Sequence, residues 1–195
     1  MPPPVANQSS RVDSTTLGML LFIASEIMLF GSFFTAYFFA RVIANEGGAG
    51  AWPPEPFELP VYLALLNTII LMTSSFTMHW ALQSIKRNHR AGLIAGLTLT
   101  FLLGLTFLLI QAREYTRLGF GPGDLAFGST FYGLTGLHGA HVFVGLNLLL
   151  YALIRSLRGH FGPKAHDHLG VEIPGIYWHF VDVMWIVVYV TVYVI

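Results

Sequence analysis

Three histidines and two carboxylates lie inside apolar stretches of this 195-residue chain, where ionisable groups are rare. His138 and His141 are three positions apart, so they share one face of a helix. An imidazole pair of this kind binds zinc, copper or iron when further ligands are present. The deep candidates for those ligands are His179, Asp182 and Glu26. The spacing leaves two interpretations open, a metal centre and histidines that pack helix against helix, and it favours packing.

Glu26 lies well inside the first apolar segment. Ten residues of helix place it roughly 15 Å from the start, close to the middle of a membrane. An ionised carboxylate at that depth is unfavourable unless it is paired, protonated or next to water. Glu26 therefore predicts either a proton-handling or lipid-selective site, or a structural hydrogen bond between helices. In both cases the side chain points into the protein.

The composition is that of a membrane protein. Hydrophobic residues make up 54% and charged residues 10% of the chain, whereas about 25% of the residues in soluble domains are charged. The net charge is zero, which gives no indication of a nucleic-acid partner. The sequence has no cysteine, so disulfides, thiolate metal sites and a cysteine nucleophile are excluded. It also contains no phosphate-binding loop, no GxSxG elbow and no HExxH motif.

Five apolar segments account for nearly the whole chain. Each reaches the ~20 residues that a helix needs to cross a bilayer. The predicted helices are about 16–43, 59–85, 91–115, 128–157 and 175–195. The connectors between them are short and rich in glycine, proline and charged residues. The fold predicted for residues 1–195 is a single all-α, polytopic membrane domain, a bundle of five transmembrane helices.

Seven of the ten basic residues fall at one end of the predicted bundle. They are Arg11, Lys86, Arg87, Arg90, Arg155, Arg158 and Lys164. Because Lys and Arg concentrate on the untranslocated face, the N-terminus is predicted to be cytoplasmic and the C-terminus outside. Trp52, Trp80, Tyr115 and Trp178 fall near predicted span ends, where amphipathic rings favour the membrane interface.

Small residues indicate where the helices touch. Three pairs of residues are four positions apart. They are Gly92 and Gly96, Gly136 and Ala140, and His141 and Gly145. Residues without bulky side chains let membrane helices approach closely. These faces are therefore predicted contacts within a compact bundle.

Three basic residues lie at the end of the fourth predicted helix. This basic rim consists of Arg155, Arg158 and His160. Such a rim can bind lipid phosphate, or it can simply anchor the helix at the cytoplasmic face. Both interpretations remain open at the level of the sequence.

Motifs along nearly the whole chain resemble subunit III of haem-copper cytochrome c oxidases. The first is the apolar helix around the Ser25-Glu26 pair, and the most specific are GSTFYGLTGLHGAHVFVG at 128–145 and YWHFVDV at 177–183. The others are WPP at 52–54, LPVYLALLNT at 59–68 and QAREY at 111–115. The resemblance implies a subunit of an aerobic respiratory enzyme that couples cytochrome c oxidation by O2 to proton translocation.

In that family the haems and copper reside in subunits I and II, and subunit III carries no redox centre or catalytic residue. The resemblance implies that both subunits are partners of this chain, and that cytochrome c is reached through subunit II. It also implies bound phospholipid, stabilisation of subunit I and support of proton uptake. No cofactor, metal or nucleic acid is expected in this chain itself. The expected location is the inner (plasma) membrane of a bacterial cell.

The family's polar residues carry over onto matching positions of this sequence. Glu26 corresponds to the buried helix carboxylate of the family, and His138, His141, His179 and Asp182 correspond to its polar packing motifs. The basic rim falls where related proteins contact lipid headgroups. These roles are what the resemblance implies.

The sequence also departs from the seven-helix members of the family. It lacks their first two helices, which form one wall of the lipid-holding cleft, and so resembles the shorter bacterial form. Similar five-helix relatives occur in quinol oxidases and as a nitric oxide reductase accessory protein, but Ser25-Glu26 with YWHFVDV favours the cytochrome c type. Two hypotheses of other classes are a histidine-metal membrane enzyme and a proton-coupled transporter. The absence of an inverted repeat argues against the transporter.

Overall fold

The computed structural model describes residues 14–46, 52–55, 57–161 and 168–195. Within those ranges the chain forms helices and no strand. The helices are α1 (Ser14–Glu46), α2 (Val61–Lys86), α3 (Arg90–Tyr115), α4 (Leu125–Leu157) and α5 (Leu169–Tyr189), and α5 continues as a π-helical turn, Val190–Val194. Each of the five is long and apolar enough to cross a membrane. The predicted all-α fold with five spans is confirmed, while Arg11 and Lys164 lie outside the described residues.

Four of the helices form a closed ring. Helix α2 packs against α3, α3 against α4, α4 against α5, and α5 against α2. Helix α1 lies outside this ring and packs on α4 and α5. Most of the α1 surface is therefore exposed, and only 6% of its most apolar stretch is buried within the chain.

Glycines decide how closely the ring helices approach. A Cβ added to Gly96 would lie 2.8 Å from the Cβ of Ala81, and one added to Gly92 would meet the Ser84 side chain at 2.6 Å, so the predicted contact on this face of α3 is confirmed. Gly136 has no neighbouring atom within 4 Å of an added Cβ. The close contact predicted at Gly136 is therefore wrong, because its side of α4 faces away from the other helices.

Helix α5 begins at Leu169, six residues before the predicted start at Gly175. The prediction placed Pro174 in the connector because proline interrupts helices. In the structure Pro174 is the sixth residue of α5, so it leaves one backbone carbonyl, that of Gly170, without its helical hydrogen bond, and α5 forms despite that loss. The backbone N–H of Glu172 donates to the His168 carbonyl at 3.0 Å and closes the first turn. The other predicted bounds differ from the observed ones by three residues or fewer.

Two tryptophans of α5, Trp178 and Trp185, fill the centre of the ring and are fully buried. Trp178 packs against Gly104 of α3 and Gly145 of α4, where an added Cβ on Gly145 would lie 2.8 Å from the indole. Its Nε1 donates to Ser74 Oγ on α2 at 3.0 Å. The interfacial position predicted for Trp178 is wrong, because α5 begins nine residues before Trp178 and places this side chain in the core.

Candidate functional site

A carboxylate and a histidine join α1 to α4. His141 Nε2 lies 2.9 Å from Glu26 Oε2. The side chains are 10% and 16% exposed, respectively, so the pair is largely shielded. Glu26 thus points toward α4 and away from the exposed side of α1. This polar contact holds the single outer helix to the ring near the middle of α1.

The second ring nitrogen of His141 limits the protonation forms open to this pair. His141 Nδ1 lies 2.8 Å from the carbonyl oxygen of Leu137, which only accepts hydrogen bonds, so Nδ1 carries a proton. The contact with Glu26 then needs one proton between Nε2 and Oε2. Imidazolium with carboxylate and neutral imidazole with carboxylic acid both satisfy that condition. In either form the pair has no net charge, which is the state an apolar interior favours.

Aromatic rings surround the pair. The fully buried Phe30 ring lies 4.9 Å from the His141 imidazole, centroid to centroid, and Phe180 lies at 6.4 Å. Tyr177 donates its hydroxyl to the His141 carbonyl at 3.3 Å. Apolar rings exclude water and lower the local dielectric constant, which strengthens the electrostatic attraction within the pair.

His179 and Asp182 lie elsewhere, on the face of α5 that meets α2. His179 Nδ1 lies 2.8 Å from Ser75 Oγ. Asp182 is 2% exposed, and neither of its oxygens makes a hydrogen bond of standard geometry within the described residues. These residues form a second polar contact, separate from the one between α1 and α4.

His138 occupies a third position. It is fully buried, and its ring centroid lies 4.8 Å from that of Trp185 and 5.7 Å from that of Phe107. Neither of its ring nitrogens has a hydrogen-bond partner within the described residues. The structure therefore distributes His138, His141 and His179 among three different contacts. Among the described residues, no three His, Cys, Asp or Glu side chains converge as metal ligands.

The basic rim is found at the C-terminal end of α4, where a helix dipole favours cations. The Arg155 guanidinium carbon lies 5.2 Å from the Phe161 ring centroid and 5.8 Å from that of Tyr151. Arg158 and His160 follow it and are exposed. The three basic side chains are thus grouped at one end of the bundle.

A polar cluster that was not predicted from the sequence lies at the other end of the bundle. Glu114 and Gln111 on α3 are each 2% exposed. Tyr193 donates its hydroxyl to Glu114 Oε1 at 3.0 Å, and Tyr115 donates to Thr135 Oγ1 at 2.8 Å. The spacing of three between Gln111 and Glu114 was the available signal, because it places both on one face of a helix.

The fold and these contacts define a class of protein, a multi-pass membrane protein whose helices are joined by buried polar contacts. The family profile described as cytochrome c oxidase subunit III matches residues 7–195. The chain therefore belongs to the cytochrome c oxidase subunit III family, as the sequence motifs predicted. It is a subunit III of the haem-copper oxidases, and it associates with other oxidase subunits.

Individual relatives agree with the family profile. Cytochrome c oxidase subunit 3 of Drosophila yakuba is 45% identical over 183 residues, which cover 90% of this chain and 67% of that protein. The proteins of the same name from Pelomedusa subrufa and Rattus norvegicus are 41% and 40% identical over 182 residues, with the same shares covered. The chain thus spans about two thirds of the length of these relatives.

Proposed function

We propose that this chain is the non-redox subunit that stabilises subunit I, holds phospholipid and supports proton uptake in a cytochrome c oxidase. The haems and copper belong to subunits I and II in this proposal, and cytochrome c is reached through subunit II. The membrane proposed is the inner (plasma) membrane of a bacterial cell. Family membership supports the proposal that other oxidase subunits are the partners of this chain. The structural observation that carries the role of this chain is the contact between Glu26 and His141.

The Glu26–His141 pair supports a role in proton handling. The pair contains one proton that either partner can hold, and the exchange leaves its net charge at zero. A proton shared in this way costs little to keep in an apolar bundle, whereas a lone ionised carboxylate is expensive. We propose that the pair holds this one proton between α1 and α4 and keeps α1 attached to the ring.

An apolar cavity supports phospholipid binding. It has a volume of about 380 Å³ and lies between the C-terminal part of α1 and the start of α4. Its walls include Phe39, Ile43, Leu125 and Phe127. A cavity with such walls fits an acyl chain. The outer surface of α1 beside the cavity is apolar and exposed, so the rest of the chain can lie along it. The basic rim, Arg155, Arg158 and His160, is proposed to contact lipid phosphate at the opposite end of the bundle.

The assignment is tested by purifying this chain with an affinity tag in mild detergent. Reduced-minus-oxidised visible spectra and mass spectrometry of the copurified proteins then identify the complex. We expect haem bands together with subunits I and II, and a copper-bearing subunit II distinguishes cytochrome c oxidase from quinol oxidase. A colourless chain that purifies alone would contradict the proposal.

The role of the pair is tested with Glu26→Gln in the assembled complex. We expect normal haem content and a near-normal initial rate of oxygen consumption, followed by faster loss of activity during sustained turnover. Glu172→Gln is the matched control, because this carboxylate lies at the bundle end and pairs with Lys86 at 3.2 Å. Immediate complete loss of activity in a fully haem-loaded complex would contradict the proposed role.

A further inference from the structure

One histidine joins α2 to α3. His89 lies between the end of α2 at Lys86 and the first residue of α3, Arg90. Its backbone N–H donates to the Ser84 carbonyl at 2.8 Å, and its own carbonyl accepts from the backbone N–H of Leu93 at 3.1 Å. The same residue therefore closes the last turn of α2 and opens the first turn of α3.

The turn before His89 fixes the position of this residue. Asn88 has a φ of 55°, the left-handed conformation that commonly ends a helix. The backbone N–H of Asn88 donates to the Ile85 carbonyl at 3.0 Å. Together with the bond from His89 to Ser84, this is the hydrogen-bond pattern of a Schellman motif. Both backbone polar groups of His89 are thus engaged, which leaves its imidazole as the group that can change with pH.

The imidazole of His89 caps α3. Its Nδ1 accepts the backbone N–H of Gly92 at 3.0 Å. The first N–H groups of a helix have no partner within the helix, and a capping side chain supplies one. Glycine at position 92 leaves room for the ring, since a Cβ on Gly92 would lie 2.6 Å from Nδ1 of His89. The cap is therefore a fitted contact between one side chain and the first turn of α3.

A second proton on the His89 ring removes this cap. An amide N–H only donates, so Nδ1 must keep its lone pair, and the ring proton of the neutral imidazole lies on Nε2. The imidazolium carries a proton on both nitrogens and cannot accept a hydrogen bond. Histidine side chains change between these two forms at pH values from about 5 to 8. The capped corner is therefore the form of higher pH, and the cap is lost as the pH falls.

The charges at this end of the bundle act in the same direction. The positive end of the α3 dipole lies at His89, where it disfavours an imidazolium. Among the described residues at this end, the one carboxylate is Glu172 of α5, which pairs with Lys86 at 3.2 Å. The basic side chains of the same end are Lys86, Arg87, Arg90, Arg155, Arg158 and His160. Like charges therefore outnumber the single opposite one around a protonated His89.

The same corner is linked to α4. Arg90 Nη2 donates at 2.8 Å to the carbonyl oxygen of Leu157, the last residue of α4. Because Arg90 is the first residue of α3, fraying of the first turn of α3 also loosens this link. We propose that His89 is a pH-sensitive cap, which fastens the corner between α2 and α3 to the end of α4 when it is neutral and releases it when it is protonated. Neither residue of the Glu26–His141 pair lies at this corner.

The test measures hydrogen–deuterium exchange in the intact oxidase complex that contains this chain, at about pH 8 and about pH 5.5. Protection factors are corrected for the intrinsic effect of pH on exchange. We expect the protection of the Gly92 amide to fall about fivefold at the lower pH, the effect of one N-cap hydrogen bond. His89→Asn should keep high protection at both pH values, because asparagine caps a helix and does not titrate. His89→Ala should have low protection at both.

The start of α5 provides the matched control. His168 precedes α5 as His89 precedes α3, but the His168 side chain makes no capping hydrogen bond. His168→Asn should therefore leave the pH dependence of the first turn of α5 unchanged. Protection at the end of α4 should fall together with that of α3, and a constant α4 would contradict the link through Arg90.

Three results would overturn the proposal. The first is an unaltered complex in which the protection of α3 does not fall at low pH. The second is a fall that persists unchanged in His89→Asn, because the proton would then act elsewhere. The third is full protection in His89→Ala at about pH 8, which would show that the imidazole is not the cap.

Discussion

Trp178 donates its indole N–H to the hydroxyl of Ser74 at 3.0 Å, and both residues are fully buried. Ser74 in turn donates to the Leu71 carbonyl within its own helix. The indole fills space left open by Gly104 and Gly145 on two further helices. One side chain of α5 thereby contacts α2, α3 and α4. We expect this relationship to control the stability of the four-helix ring.

Replacing Ser74 by alanine should destabilise the ring by about 1–3 kcal/mol, because it leaves a buried indole N–H without an acceptor. The double variant Ser74→Ala/Trp178→Phe should lose less than the sum of the two single changes, since it leaves no unpaired donor. The measurement is thermal dissociation of the purified complex. Ser32→Ala, an exposed hydroxyl bonded to its own helix, is the control. Strict additivity would contradict the contact.

Gly145→Ala should also destabilise the ring, by about 1–3 kcal/mol, because the added methyl group overlaps the Trp178 ring. Gly136→Ala on the same helix is the matched control, since no atom lies within 4 Å of its added Cβ. Both variants raise helix propensity equally, so their difference isolates the overlap. Equal thermal dissociation temperatures for the two variants would show that the Trp178 ring can move aside.

Glu26→Ala should loosen α1 by about 1–3 kcal/mol, because His141 Nε2 loses its partner in an apolar region. The double variant Glu26→Leu/His141→Leu should recover much of that stability, since it removes both polar groups. Thermal dissociation measures this recovery, and oxygen consumption during prolonged turnover measures function. If the double variant restores endurance as well as stability, the pair has a structural role only.

Tyr193→Phe removes the donor to Glu114 and leaves both carboxylate oxygens without a partner among the described residues. We expect a loss of about 1–3 kcal/mol in the thermal stability of the complex. Tyr189→Phe is the control, because Tyr189 stacks on Tyr193 at 5.7 Å but makes no hydrogen bond to Glu114. Equal stability of the two variants would indicate that another donor already serves Glu114.

Much of the fold could be predicted because spanning helices depend on local sequence. Length and hydrophobicity identified five helices, and the depth of Glu26 followed from counting residues. The start of α5 could not be predicted, because Pro174 disfavours a helix in general but is tolerated near the start of this one. The same shift hid the burial of Trp178. Gly136 shows a related limit, since small residues allow a close contact without creating one.

The sequence by itself determined the number and order of the spans, the membrane class and the family. Only the tertiary structure decided which polar residues meet. His138 and His141 share a face of α4, yet residues three apart on a helix still point about 60° away from each other. That angle directs His141 to Glu26 on α1 and His138 to Trp185 on α5. Sequence spacing fixes the angle, but the neighbour at each angle depends on how the helices assemble.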